Sequence, residues 1–532
     1  MQWKAAIANA LWSASNLPAY VRFCRALDHP EPVQTQKLRS FLKQNARTAF
    51  GKAHQFEKIS SYKEFTARVP LADYESFVPW IDRIMRGEAN VLTQESVTHL
   101  VPTSGSRGAR KLVPFTCGLQ DEFNAAIGPW LVDLQRQQPG LIGGPAYWSV
   151  TPNLKGATAE ALAIPVGFDA DTAYLGGTRK WLADAVMAVP SAVQLAESME
   201  AFRYETLLHL LCCRELRLIS IWHPSFLMLL LEAVYLHWET LLDDIAHGRK
   251  GSMMGLPERS SELRRMGPDE PRLFWPGLRL ISCWGDGHAE MWISELQSEF
   301  PEVAIQRKGL LATEAVVTIP FHQRQPLAIR SHFFEFLDEQ NHACLAHELR
   351  DDQEYEVVVT TAGGFCRYRL QDRVRVNGFV GTTPCLRFIG RSGSVSDLFG
   401  EKLSEQFVSE AIHMAIASVR TPKFMLLAPD EDDLGCHYTF YVEGEMAPDV
   451  IANLDILLRK NPHYDWCRKV GQLRAPRLFQ ITADGFQSFL QRECANGRRI
   501  GDVKPLVLSA RTAWSQHFQG RYVHNSLLRY PC

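Results

Sequence analysis

Between positions 103 and 111 the chain reads Thr103-Ser104-Gly105-Ser106-Arg107-Gly108-Ala109-Arg110-Lys111, hydroxyls and glycines followed by basic residues. These residue types suit a polyphosphate. Gly105 and Gly108 let backbone approach a ligand with no Cβ in the way, and the N–H groups of a tight turn form a concave anion site. Thr103, Ser104 and Ser106 offer hydroxyl hydrogens, while Arg107, Arg110 and Lys111 offer charge. The flanks Val101-Pro102 and Leu112-Val113-Pro114-Phe115 predict two short strands joined by the loop. It is not a Walker A loop, because Leu112-Val113-Pro114 follows Lys111 and Pro114 bars an immediate helix. Read alone, the segment fits an ordinary Ser/Gly/Arg surface turn equally well.

Further along, Leu311-Ala312-Thr313-Glu314-Ala315 follows an apolar run and is expected at a strand end. A carboxylate there suits Mg²⁺, which takes oxygen ligands and shares them with substrate phosphates; a solvated Glu is the plainer reading. In Tyr368-Arg369-Leu370-Gln371-Asp372 the acid has the chemistry to accept ribose hydroxyls, against a surface pair of Asp372 with Arg369 or Arg373. Gly390-Arg391 and Gly400-Glu401-Lys402 flank a stretch rich in small residues, and Arg391 is long enough to reach a ribose or phosphate from it. Lys504, in Gly501-Asp502-Val503-Lys504-Pro505, can swing toward phosphates if its turn moves, though most lysines only solvate a surface. No HExxH, GxSxG or dinucleotide glycine pattern occurs. The Cys283 to His288 segment holds both a thiol and an imidazole, but sequence neighbours need not meet at nucleophile–base geometry.

Elements must position these groups. Helical periodicity runs from Gln36 to about Arg68, with Leu38, Leu42 and Ala46 on one face and Gly51 expected to end the first helix. It recurs from Thr116 to Val132 and from Met199 to Asp244. Short apolar runs around a helix at Ala289–Glu299 give strand-helix-strand order, an α/β signal. Tyr355–Thr360 and the stretch from Tyr368 to Val376, joined through Gly363-Gly364, predict a pair of strands. The expected fold class is α/β, α+β in part. It comprises a large N-terminal domain, 1–392, of mixed sheets and helices, and a small mobile α+β domain, 393–532.

Composition excludes several classes. The 532 residues exceed one core. With 57 basic against 59 acidic side chains, no bulk attraction to nucleic acid or anionic membrane is expected. The twelve cysteines show no metal spacing, so reduced thiols and a cytoplasmic protein are expected. The apolar run Phe226–Leu231 is too short and too interrupted to span a bilayer, and a buried helix is expected there.

Taken in order, these segments resemble the acyl-acid amido synthetases of the auxin-responsive Gretchen Hagen 3 family, within the firefly-luciferase-like adenylate-forming superfamily. The resemblance covers nearly the whole chain. It includes Thr48-Ala49-Phe50-Gly51 with His54, Val69-Pro70-Leu71-Ala72-Asp73-Tyr74-Glu75, the 103–111 loop, Ala312-Thr313-Glu314, Tyr368 to Asp372, and Gly400-Glu401-Lys402 with Glu405. Trp222-His223-Pro224-Ser225-Phe226 and Ile281-Ser282-Cys283-Trp284 look more like its bacterial branch. The resemblance implies that Thr103, Ser104, Gly105, Ser106 and Lys111 hold ATP phosphates, and that Thr313 faces the α-phosphate. It implies Mg²⁺ on Glu314, ribose on Asp372 with Arg391 nearby, Tyr368 lining the nucleotide site, and Lys504 as the mobile lysine of adenylation. Trp222, Trp284 and His288 are candidates for the acyl wall. The implied substrates are ATP, a small carboxylic acid and an amino acid amine; transfer to a thiol such as coenzyme A, or a non-catalytic ligand-binding relative, are the rivals. The chain departs from the pattern at Arg107, where a small residue or Thr is usual, at Gln371 before Asp372, and at Ala315, the last two being positions where Gly is usual.

Overall fold

The computed structural model describes residues 2–102, 111–149, 164–165, 184–196, 198–249, 253–286, 289–391, 395–417, 422–432, 435–447, 449–495 and 506–523. Two compact units divide the chain. One holds the described residues up to Leu370 with Val374–Phe388; the other holds Gln371–Arg373 and those from Ile389 onward.

The larger unit opens with helices α1 (Gln2–Ala26), α2 (Pro30–Asn45), α3 (Ala49–Ala53), α4 (Tyr62–Arg68) and α5 (Tyr74–Met85). Strands β1 (His99–Pro102) and β2 (Leu112–Phe115) pair antiparallel, with Pro102 opposite Leu112 at the end nearest the 103–111 loop, as the two short runs predict. Helix α6 (Cys117–Gln137) follows, its first turn capped by the Thr116 hydroxyl, which accepts the Leu119 N–H at 3.1 Å.

A parallel sheet comes next, β3 (Ala146–Trp148), β4 (Leu218–Ser220), β5 (Leu280–Cys283) and β6 (Ala304–Arg307), in that spatial order. Parallel neighbours need crossovers. These contain α7 (Met199–Cys212), α8 (Pro224–His247) with α9 (Pro257–Met266), and α10 (Glu290–Glu299). Strands β4 and β5, Leu-Ile-Ser and Leu-Ile-Ser-Cys, are buried throughout, the unalternating pattern of a covered sheet. Helix α8 is long and apolar enough to cross a membrane by length and composition. Its Leu227, Leu230, Leu231, Val234, Leu241 and Ile245 lie in the core beside the sheet.

A five-stranded sheet follows, in the larger unit except for Gln371–Arg373 and Ile389–Arg391: β7 (Phe333–Leu337), β8 (Ala343–Leu345), β9 (Glu354–Thr360), β10 (Tyr368–Val380) and β11 (Thr383–Arg391), ordered 8-7-9-10-11. Strands β9 and β10 are neighbours, as expected. Arg367 anchors β10 to the N-terminal helices. It pairs with buried Glu335 at 2.8 Å and donates to the Val69 carbonyl at 2.8 Å, while Tyr62 donates to Glu335 at 2.8 Å.

Two helix expectations need correction. Gly51 does not end a helix; α2 stops at Asn45, and Thr48 caps the new helix α3, which contains Gly51. Glycine is required there by close approach, since a Cβ would lie 2.1 Å from the Asn45 carbonyl oxygen. The periodic stretch 199–244 is two helices with β4 between them, because a short buried strand is as apolar as a buried helix turn.

The smaller unit contains α11 (Glu405–Ala415), capped by the Ser404 hydroxyl, then β12 (Phe424–Asp432), β13 (Gly435–Glu443), α12 (Asp449–Leu458), α13 (Pro462–Lys469), β14 (Arg477–Ile481), α14 (Gly485–Ala495) and β15 (Gly520–Val523). Its sheet is ordered 12-13-14-15, with only the 13–14 pair parallel. Buried Glu401 receives the Leu398 and Phe399 N–H groups at 2.9 and 2.8 Å and the Tyr438 hydroxyl at 2.6 Å. That acid fastens the segment before α11 to the sheet.

Candidate functional site

In the larger unit, Thr313 and Glu314 lie at the tip of a narrow hairpin rather than at a strand end. Leu311 and Val316 are bridged antiparallel, and the Ala312 N–H meets the Ala315 carbonyl at 2.8 Å. Ala315 has no positive φ, so the glycine usual there is dispensable. Buried Glu314 accepts the Tyr368 hydroxyl at 3.4 Å. Tyr368 is 2% exposed and stacks on Phe365, centroids 4.6 Å apart.

Side chains remote in sequence hold this tip. Ser331 donates to the Val316 carbonyl at 3.0 Å, and His332 Nε2 accepts the Val316 N–H at 3.0 Å. Accepting through Nε2 leaves the ring hydrogen on Nδ1, which donates to Glu122 at 2.8 Å. Glu122 also accepts the Ala362 N–H at 2.8 Å and pairs with Lys37 at 3.1 Å. Burial opposes ionisation of Glu122, yet the His332 ring, Lys37 and the Ala362 N–H hold its carboxyl below the usual range. Sequence reasoning missed Ser331, His332 and Glu122, because no spacing relates Glu122 to His332.

In the smaller unit, Asp372 is 3% exposed and receives Arg391 Nε at 2.8 Å. Arg369 is not its partner, being bound to Glu356 at 2.7 and 2.9 Å. Gln371 has a φ of 63°, the left-handed region that explains why Gly is usual before this acid. A planar guanidinium on a nearly enclosed carboxylate orients its lone pairs for hydroxyl donors.

Lys111 places Nζ 5.5 Å from the Tyr74 ring centroid, while the Tyr74 hydroxyl accepts the Leu112 N–H at 2.6 Å. Thr103, Ser104, Gly105 and Ser106, with Arg107 to Arg110, and also His288 and Lys504, lie outside the described residues.

Trp222 and Trp284 come together where the parallel strands end. Trp222 follows β4 and is 48% exposed; Trp284 follows β5, is buried, and its backbone N–H donates to the Trp222 backbone carbonyl at 2.9 Å. Trp148 ends β3. The carboxyl edge of parallel strands is the usual ligand side of such sheets. Cys283 is buried and its thiol is pushed up to about 12, unsuited to a nucleophile at neutral pH. Lys308, directly after β6, is buried and was missed, since a lysine beside Arg307 and Gly309 reads as solvated surface.

For Mg²⁺, Glu314 is a hard oxygen donor of the right type; among the described residues no group of three or more His, Cys, Asp or Glu could cage a metal.

Sequence models of the GH3 family match in order: its N-terminal domain over residues 19–305, its central domain over 325–391 and its C-terminal domain over 405–513. The chain belongs to the GH3 family. This GH3 protein is 24% identical to indole-3-acetic acid-amido synthetase GH3.4 of Arabidopsis thaliana over 465 residues, 78% of this chain and 76% of the relative. Its fold matches the AtGH3.15 acyl acid amido synthetase in complex with 2,4-DB, with a TM-score of 0.83, 17% identity, and 94% and 95% of the two chains covered. A 2-hydroxyisobutyryl-CoA ligase in the postadenylation state matches at a TM-score of 0.50, 12% identical over 87% of this chain and 91% of the other.

Proposed function

We propose that this GH3 protein is an ATP- and Mg²⁺-dependent acyl acid amido synthetase. It is a ligase that adenylates a small carboxylic acid and then passes the acyl group to an amino acid amine. The observation that carries the reading is the ordered match of the three GH3 domain models along the chain.

A carboxylate resists amines because oxide is a poor leaving group, and AMP is a good one. Forming the adenylate builds charge on the α-phosphate and the departing pyrophosphate. Thr313, at a tip fixed by Ser331 and His332, faces that phosphate with little reorganisation. Mg²⁺, when bound at Glu314, neutralises phosphate charge. The Tyr368 hydroxyl holds Glu314 in place. Asp372, oriented by Arg391, accepts the ribose hydroxyls. The hydroxyls and N–H groups of the 103–111 loop cradle phosphates, and Lys504, carried by the small domain we assign to 393–532, offsets charge during transfer. The eleven described cysteines are all free, which supports a reducing, cytoplasmic setting.

The test is carboxylate-dependent exchange of pyrophosphate into ATP across a broad acid panel. Products are then identified by mass with amino acids or coenzyme A present. Exchange followed by amide formation is expected. No exchange with any acid would overturn the reading, and thioester in place of amide would redirect it to a thiol acceptor.

A further inference from the structure

Lys308 has a setting that ordinary surface lysines lack. It is 6% exposed and follows the last residue of β6. Its backbone N–H is tied to the Cys283 carbonyl at 2.8 Å, and its Nζ sits 4.9 Å from the centre of the Trp222 ring. Among the described residues no carboxylate pairs with it. The charged group facing it is at most the Cys283 thiolate, and that thiol stays protonated near neutral pH. A buried ammonium resting only on an aromatic face is costly, and burial lowers its amine to about 7.

Its surroundings say what would relieve that cost. Trp148, Trp222 and Trp284 end or follow β3, β4 and β5, and Lys308 follows β6, so three indoles and one cation share the carboxyl edge of one sheet. Lys308 also stands at the base of the hairpin whose tip carries Thr313 and Glu314. The Val317 N–H meets the Leu310 carbonyl at 2.9 Å, and Leu311 faces Val316 nearer the tip. Two residues, Gly309 and Leu310, lie between Lys308 and that bridged pair, a reach of at most about 10 Å of backbone and comparable to a single aromatic ring with a substituent at each end.

We propose that Lys308 determines specificity in the acyl site, selecting an aromatic dicarboxylic acid whose ring lies against Trp222 and whose second carboxylate pairs with the lysine ammonium. This rests on reading the tryptophan edge as the acyl site of the amide-forming ligase. The carboxyl to be activated points toward the hairpin tip, and the second stays at its base.

The test is calorimetric binding of phenylacetate and 4-carboxyphenylacetate to the full chain and to its Lys308→Met and Lys308→Arg variants, with pyrophosphate exchange on the same samples. The wild type is expected to bind the diacid at least tenfold more tightly. Lys308→Met should erase that ratio and Lys308→Arg should keep most of it, a rescue that packing alone would not produce. Equal binding of the two acids, no measurable binding of the diacid at millimolar concentration, or a ratio untouched by Lys308→Met would overturn the assignment. If the ratio follows the charge at 308 while no acid supports exchange, the lysine assignment stands and the adenylation reading falls. Exchange with a ratio indifferent to Lys308→Met gives the reverse.

Discussion

Asp372 and its neighbours carry the chemistry proposed for ribose, and each contributes through a separable property. Replacing Asp372 by Asn removes the charged acceptor but keeps its shape. A hydrogen bond to a charged group contributes about 1.5–3 kcal/mol, so the KM for ATP in pyrophosphate exchange should rise roughly tenfold or more with a smaller change in kcat. Unchanged KM would detach Asp372 from the nucleotide. Gln371 tests backbone alone. At its φ of 63° a β-branched side chain is strained, so Gln371→Val should cost about 1–2 kcal/mol in urea unfolding, and Gln371→Gly should not destabilise. Lys504→Ala should slow adenylation by about two orders of magnitude, the scale of losing one charge-stabilising donor, and leave ATP affinity within about threefold. Nearly unchanged adenylation would remove Lys504 from the mechanism. Asp372 and Glu314 were readable as candidates because their motifs are local. Lys308 was not, because its isolation and its indole are products of folding.

Among the elements, the hairpin at 311–316 owes its shape to groups far along the chain. His332→Ala would orphan the buried Val316 N–H and remove a partner of Glu122, so a loss of about 2–4 kcal/mol is expected by urea unfolding. A loss under about 0.5 kcal/mol would mean that the clamp contributes nothing. The pair that ties β10 to the N-terminal helices makes a sharper case. Arg367→Met leaves Glu335 buried and charged and should cost about 3–5 kcal/mol, while adding Glu335→Leu should restore most of it. A double variant as unstable as the single would mean that packing of the Arg367 stem, rather than charge, holds the strand. The strands flanking the 103–111 loop, α6 and α10 were legible because capping residues and periodicity act within a few residues. The break of 199–244 into helix, strand and helix was not, since burial makes both states equally apolar.

At the scale of the molecule, Lys308 should show in the pH dependence of stability. Its amine falls from 10.5 unfolded to about 7 folded, so between those values the unfolded chain holds the extra proton and stability rises with pH. The Cys283 thiol opposite, pushed up to about 12, stays protonated there. Lys308→Met should therefore be more stable than wild type by roughly 3–5 kcal/mol at pH 7, with the gap closing toward pH 10. A gap constant with pH would mean that the amine is solvated in the folded protein.

The sequence by itself determined the class of fold, the order of the motifs and the kind of chemistry they support. Those follow from residue types and short spacings, which act locally along the chain. Only the tertiary structure decided that Thr313 and Glu314 crown a hairpin clamped by Ser331 and His332, that Arg391 rather than Arg369 partners Asp372, and that Lys308 rests against Trp222. Each of these is a contact between segments distant in sequence, fixed by how strands pair and cores fill, and no local pattern encodes it.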